Sequence, residues 1–207
     1  MAEPFRIAVL VSGSGTNLQA LIDTVHGADI AIACVAASRR DAPGLERAQR
    51  AGIETDVFAQ ETYGGRDARD ATMADWLEER DVQLVVLAGW MELLGPAFIH
   101  RFAGRIINVH PSLLPAFPGL RSIEKAVRYG VKSTGVTVHF VDEGMDSGAI
   151  VLQEALELSY PAAIADIEER VHGVEHRLLP RAVRLIAEGR VRLDPENPRV
   201  VLINDVD

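Results

Sequence analysis

Asn108 and His110 stand two residues apart at the end of an apolar run, and Asp146 follows later between Gly144 and Gly148. Residues two apart on a strand project from one face, so an amide and an imidazole at this spacing point together. An asparagine amide is a neutral donor suited to a carbonyl oxygen that becomes an oxyanion, and one such donor is worth about 3 kcal/mol of barrier. A histidine titrates near neutrality and can hold or move the proton. An ionised aspartate beside it favours the imidazolium, with Asp142 and Glu143 as rival carboxylates in the same stretch. The plain structural alternative is that Asn108 and His110 end a strand and are satisfied by backbone.

Two further clusters carry chemistry. Ser12-Gly13-Ser14-Gly15-Thr16-Asn17 follows the first apolar run and precedes a helical pattern, where backbone N–H groups and a positive helix end can hold a phosphate. A dinucleotide fingerprint would need glycine where Leu18 stands and an acid where Ser38-Arg39-Arg40 stands, and a Walker-type loop would need a Lys after the glycines. A monophosphate site is the functional reading; a tight turn with Asn17 as helix cap is the structural one. His172-Gly173-Val174-Glu175-His176 matches the H-x-x-E-H pattern of inverted zinc peptidases, with two imidazoles on one helix face. Gly173 weakens that helix and no third ligand is well placed, so no metal is expected. Cys34, in an apolar strand, reads as core rather than nucleophile.

The elements that must position these groups alternate. Apolar, β-rich runs at 5–11, 30–36, 57–58 with its flanks, 82–88 and 105–109 read as strands. Helical patterns at 17–25, 43–51, 66–80 and 96–102 lie between them. That alternation predicts a doubly wound α/β fold around a mostly parallel sheet. Residues 134–141 and 149–158 alternate across the connection Glu143-Gly144-Met145-Asp146-Ser147-Gly148 and predict an antiparallel edge added in the C-terminal half. Residues 162–188 carry Ile164, Ile167, Val171, Val174, Leu178, Val183 and Ile186 at three-to-four-residue spacing, a long amphipathic helix that Pro180 is expected to kink. A turn at 194–198 precedes a last short strand or tail.

The 207 residues, 48% apolar and 25% charged, suit one domain, 1–207, with a nucleotide- and phosphate-binding half at about 1–103 and a catalytic half at about 104–190. A net charge of −9 disfavours nucleic acid and anionic membrane as partners. A single cysteine fits a reducing compartment, and the start Met1-Ala2-Glu3-Pro4 has no basic leader, so the cytoplasm is the expected location.

The string Asn108-Val-His-Pro-Ser-Leu-Leu-Pro115, with Phe117-Pro-Gly119, Gly135-Val-Thr-Val-His-Phe-Val141 and Asp146-Ser-Gly148, resembles the folate-dependent formyltransferases. Ser12-Gly-Ser-Gly-Thr-Asn-Leu-Gln19 narrows the likeness to the branch that formylates phosphoribosylglycinamide. The resemblance runs from about Phe5 into the last helix. It implies transfer of a formyl group from the co-substrate 10-formyltetrahydrofolate to the glycine amine of phosphoribosylglycinamide in purine synthesis, without a metal. It implies Asn108, His110 and Asp146 as the catalytic trio. Gly15, Thr16, Asn17 and Glu175 match the ribonucleotide contacts, and His172 would line the same site with Glu175. Arg66, Met91, Glu92, Leu93, Leu94, Asn108, Val141, Asp142, Glu143 and Gly144 match the folate pocket. A homodimer is left open.

Two positions depart from the family. Glu92 stands where relatives are often basic, which bears on the folate's glutamate tail, and Arg121-Ser122 stands where many carry a histidine-containing pair. The chemistry is consistent with the inventory: an amine is its own nucleophile, so no Ser or Cys attack is required. Formyltetrahydrofolate hydrolase and methionyl-tRNA formyltransferase-like activity share the trio. The former usually carries a regulatory domain and the latter an RNA-binding one. A zinc peptidase, or a non-catalytic nucleotide-binding module that needs the glycine turn but not the trio, are readings of another class.

Overall fold

Residues 7–11 are apolar without interruption and fully buried, the signature of a strand covered on both faces. In the computed structural model, which describes residues 3–27 and 29–204, they form the second part of β1 (Phe5–Val11). The expectation about the leader falls partly on Met1 and Ala2, which lie outside the described residues.

The chain divides into two compact units, residues 1–107 and 108–207. The first runs β1, α1 (Thr16–Thr24), β2 (Ile30–Ala37), α2 (Gly44–Arg50), β3 (Glu54–Val57), a 3₁₀ turn (Gln60–Thr62), α3 (Arg66–Glu78), β4 (Leu84–Leu87), α4 (Pro96–Arg101) and the start of β5 (Ile106–His110). β1 pairs in parallel with β2 and β4, and β2 with β3, so the strand order is β3-β2-β1-β4. Succession moves outward from β1 to β3 and then returns to β4 on the other side of β1. A crevice therefore opens at the carboxyl end of β1, where open α/β sheets take ligands.

The second unit holds the end of β5, then α5 (Ser122–Tyr129), β6 (Ser133–Phe140), β7 (Ile150–Glu157), α6 (Ile164–Ala187) and a small antiparallel pair, β8 (Val191–Leu193) with β9 (Val201–Ile203). β6 and β7 are antiparallel, with a register shift between Val138 and His139. The fold is thus the expected α/β architecture, with a mostly parallel sheet, flanking helices and antiparallel strands at its C-terminal end. α6 packs Ile167, Val171, Val174, Leu178 and Val183 inward and continues unbroken across a buried Pro180, although Ile164 at its start is exposed.

Three local expectations need correction. β3 lies at Glu54–Val57 rather than around 57–58; its alternating exposed and half-buried pattern offers no apolar run to find. α5 was not anticipated, because it opens without a capping side chain on Arg121, held at φ 57°. Asn17 does not cap α1: Gly15 occupies the cap position in the left-handed region and Asn17 sits inside the first turn.

Candidate active site

In the second unit, Asn108 and His110 leave the end of β5 on one face. Asp146 sits in the β6–β7 connection at φ 50°, a conformation that aspartate tolerates better than most residues. Gly148 lets this connection fold back, since a Cβ there would fall onto the Phe140 carbonyl oxygen. The result is a partly buried relay. His110 Nδ1 lies 3.4 Å from Asp146 Oδ2, and His110 Nε2 lies 3.0 Å from the Phe117 carbonyl oxygen. An imidazole protonated on both nitrogens would meet an acceptor on each side. The Gly119 amide donates to the same Asp146 oxygen at 2.7 Å, so the 117–119 turn and the Asp146 carboxylate hold one another.

His139, on β6, completes the cluster and went unassigned in the sequence reading. Its Nδ1 lies 2.7 Å from the Phe140 carbonyl, which can only accept, so Nδ1 carries the hydrogen and neutral Nε2 is an acceptor. The Asn108 amide nitrogen therefore donates to Nε2 at 3.2 Å, which fixes which way the amide faces and leaves its second hydrogen for another partner. Burial pushes the His139 pKa below its ordinary value, against the opposing pull of the Phe140 carbonyl and Asp146, and keeps this ring neutral. Its Nε2 is 3.7 Å from Asp146 Oδ1, beyond hydrogen-bond reach. The sequence signal for His139 was a polar residue in phase with Thr137 on an otherwise apolar strand.

The structure distinguishes Asp146 from Asp142 by their partners. Asp142 is turned into its own loop, accepting from the Gly144 amide at 3.0 Å and the Ser147 hydroxyl at 2.6 Å. Val141, Glu143 and Gly144 lie in the same connection. Below the relay, buried Thr137 donates to the Ser112 carbonyl at 2.7 Å and accepts from the Leu114 amide at 3.1 Å. Gln153 adds a bond to the Leu114 carbonyl at 2.8 Å, so β6 and β7 fasten the segment leading to Phe117.

In the first unit, the Ser12–Asn17 turn lies at the carboxyl end of β1. Gly15 is obligatory there: at φ 69° a Cβ would also come within 2.6 Å of the Gly44 Cα. Arg47 on α2, which the sequence reading did not single out, donates to the Ser14 carbonyl at 2.8 Å and brings a cation to the turn. Arg66, Met91, Glu92 and Leu93 share the lining of one open cavity of about 540 Å³, whereas Leu94 is outside that lining. Met91 is tied to the glycine turn, its amide donating to the Ser12 hydroxyl at 2.9 Å.

On α6, Glu175 is buried while His172 and His176 line an open depression with Glu168 and Glu169. The H-x-x-E-H triplet is thus split between an inner and an outer face, and among the described residues no three His, Cys, Asp or Glu side chains converge on a metal position. Cys34 is fully buried and its thiol is pushed up to about 12 by that burial, the behaviour of a core residue.

A formyl transferase family model matches residues 5–183, a span that holds β1, the glycine turn, β5 and the whole relay. The chain belongs to the formyl transferase family. Within that family it is 44% identical over 190 residues to the phosphoribosylglycinamide formyltransferase of Haemophilus influenzae, covering 91% of this chain and 90% of that one. The crystal structure of glycinamide ribonucleotide transformylase 1 from Symbiobacterium toebii superposes with a TM-score of 0.94 at 44% identity, covering 99% of this chain and 96% of that one. A formyltetrahydrofolate deformylase from Pseudomonas syringae is also similar, with a TM-score of 0.90 but 26% identity, and the chain spans 67% of it. Against the human trifunctional purine biosynthetic protein adenosine-3 the chain is 41% identical and spans 20% of that longer protein. Among the described residues no helix is long and apolar enough to cross a membrane.

Proposed function

We propose that this protein transfers the formyl group of 10-formyltetrahydrofolate to the glycine amine of phosphoribosylglycinamide, giving the formylated ribonucleotide and tetrahydrofolate. The observation that carries the reading is the relay of Asn108, His139, Asp146 and His110, in which amide and imidazole donors gather around one carboxylate. Family membership and identity to named phosphoribosylglycinamide formyltransferases support the choice of acceptor.

The amine attacks the formyl carbon, forming a C–N bond and moving the carbonyl electron pair onto oxygen. The free hydrogen of the Asn108 amide and a His110 N–H receive that oxyanion. His110 Nε2 is engaged with the Phe117 carbonyl at 3.0 Å, so donation from that nitrogen requires the 117–119 turn to yield. Asp146 supports the imidazolium and accepts the proton that the amine loses. Collapse of the tetrahedral adduct breaks the bond to the folate nitrogen, which takes the bonding pair and one proton, so no net proton is consumed. Gly15, Thr16 and Asn17 hold the phosphate by backbone and side-chain donors, with Arg47 adding charge, and Glu175 contacts the same substrate. Met91, Glu92, Leu93 and Leu94 present backbone and apolar surface to the pterin, Arg66 pairs with a folate carboxylate, and residues 141–144 complete the folate contacts.

The test is isotopic: with the formyl carbon of the donor labelled, the label should appear in an amide of the ribonucleotide product by mass spectrometry. Label recovered only as formate would instead mean that water, not the amine, is the acceptor.

A further inference from the structure

Arg69 is fully buried on the first turn of α3, and its neighbour Asp70 is 2% exposed. A buried guanidinium is expensive to desolvate and adds little net stability even when paired, so its contacts bear on what it does. Its Nε donates to Asp70 Oδ1 at 2.8 Å, and its Nη2 donates to the Leu93 carbonyl at 2.9 Å. Nη1 lies 3.5 Å from a Glu92 carboxylate oxygen, and the guanidinium carbon sits 5.6 Å from the centre of the Trp90 ring. The other Asp70 oxygen accepts from the Gly95 amide at 2.6 Å. Four of the six residues from 90 to 95 thus answer to two adjacent side chains. From the other end, Ser12 holds the Met91 amide.

This connection between β4 and α4 has no helix or strand of its own. It is gripped from its buried side while the Met91 and Leu93 side chains stand 64% exposed, on the side that lines the cavity with Arg66. A loop built this way has its backbone fixed and two apolar side chains offered to a ligand. Arginine suits the task because its rigid fork reaches a carboxylate and a carbonyl at once, which an ammonium cannot do in one geometry. The pairing also gives acidic Glu92 a partner inside the protein.

We propose that the Arg69–Asp70 pair is the positioning element of the 90–95 loop, and that affinity for the formyl donor depends on it. The proposal rests on the reading that residues 91–94 take the folate. Neither residue touches the reacting atoms, so both are positioning residues and the effect should fall on donor binding rather than on turnover.

The experiment combines kinetics with amide hydrogen exchange on the purified full chain, for the unsubstituted protein and for Arg69→Met, Arg69→Lys and Asp70→Asn. In Arg69→Met the KM for 10-formyltetrahydrofolate should rise at least ~tenfold, with the KM for phosphoribosylglycinamide and kcat within about twofold. Exchange at the amides of 92–95 should quicken, and Arg69→Lys should fall between the two. Asp70→Asn keeps an acceptor for the Gly95 amide and removes only the charge, so it carries the same test if Arg69→Met fails to fold. A folded variant with unaltered donor KM and unaltered exchange overturns the proposal alone, provided tetrahydrofolate protects 91–94 in the unsubstituted protein. Absence of that protection overturns the folate reading of the loop and the proposal with it.

Discussion

Replacing Asp146 with asparagine removes one charge and almost no volume, and the new amide oxygen can still accept from the Gly119 amide now 2.7 Å from the carboxylate. What disappears is the attraction between a carboxylate and an imidazolium whose Nδ1 is 3.4 Å away. Two unit charges at that distance attract by about 5 kcal/mol at an effective dielectric near 20. The Asp146 side chain is 15% exposed, so water screens part of this; about half, roughly 2.5 kcal/mol, is a conservative share for the transition state. Since 1.36 kcal/mol is tenfold in rate, kcat should fall by about 10²-fold or more. The assay is the initial rate of tetrahydrofolate release at saturating donor and amine, alongside a thermal melt of the same sample. Retention of kcat within about threefold in a variant that melts with the parent would refute the electrostatic role given to Asp146.

Four other outcomes follow from the same geometry. Asn108→Ala should lower kcat by ~10²–10³-fold, the usual loss for one oxyanion donor, and a fall under tenfold in steady-state kinetics would contradict that role. His139→Leu removes the acceptor that aims the Asn108 amide and should lower kcat more than His139→Gln, whose amide oxygen can replace Nε2; equal activity of the two would dismiss the aiming role. Because burial lowers the His139 pKa, the unfolded chain binds more protons than the folded one from about pH 6.5 down to that lowered value. Stability should therefore fall as pH drops through this window, and chemical denaturation at pH 7.5 and 5.5 should show a smaller difference in His139→Leu than in the parent. Gly15→Ala combines a left-handed backbone with a 2.6 Å approach to Gly44 and should cost about 2 kcal/mol, a melting-temperature drop of roughly 4–8 °C. An unshifted melt would mean that the turn relaxes freely.

The parallel sheet was legible because uninterrupted apolar runs such as 7–11 and 84–87 leave few alternatives to buried strands. Asn108 and His110 were legible because period-two geometry is local: if the strand exists, the two side chains share its face. Spacing alone left Asp146 as one carboxylate among three, and only the family resemblance preferred it; what separates it from Asp142 is the hydrogen bonding of a loop, with Asp142 taken up by Gly144 and Ser147. β3 slid out of place because Glu54, Thr55 and Asp56 alternate on a half-exposed strand and carry no apolar signal. α5 was missed because its start depends on a left-handed Arg121 rather than on a capping side chain. The roles of Arg69 and His139 were missed for a common reason. Each reads as an ordinary polar residue of its element, and each takes its meaning from partners 24 and 31 residues away, Leu93 and Asn108 respectively.

The most direct measurement of the central claim is tetrahydrofolate release from 10-formyltetrahydrofolate, followed with and without phosphoribosylglycinamide and repeated with His110→Ala. Release that requires the amine and drops by at least ~10²-fold in the variant is the expected result. Release at one rate whether or not the amine is present, or full activity without His110, would contradict it.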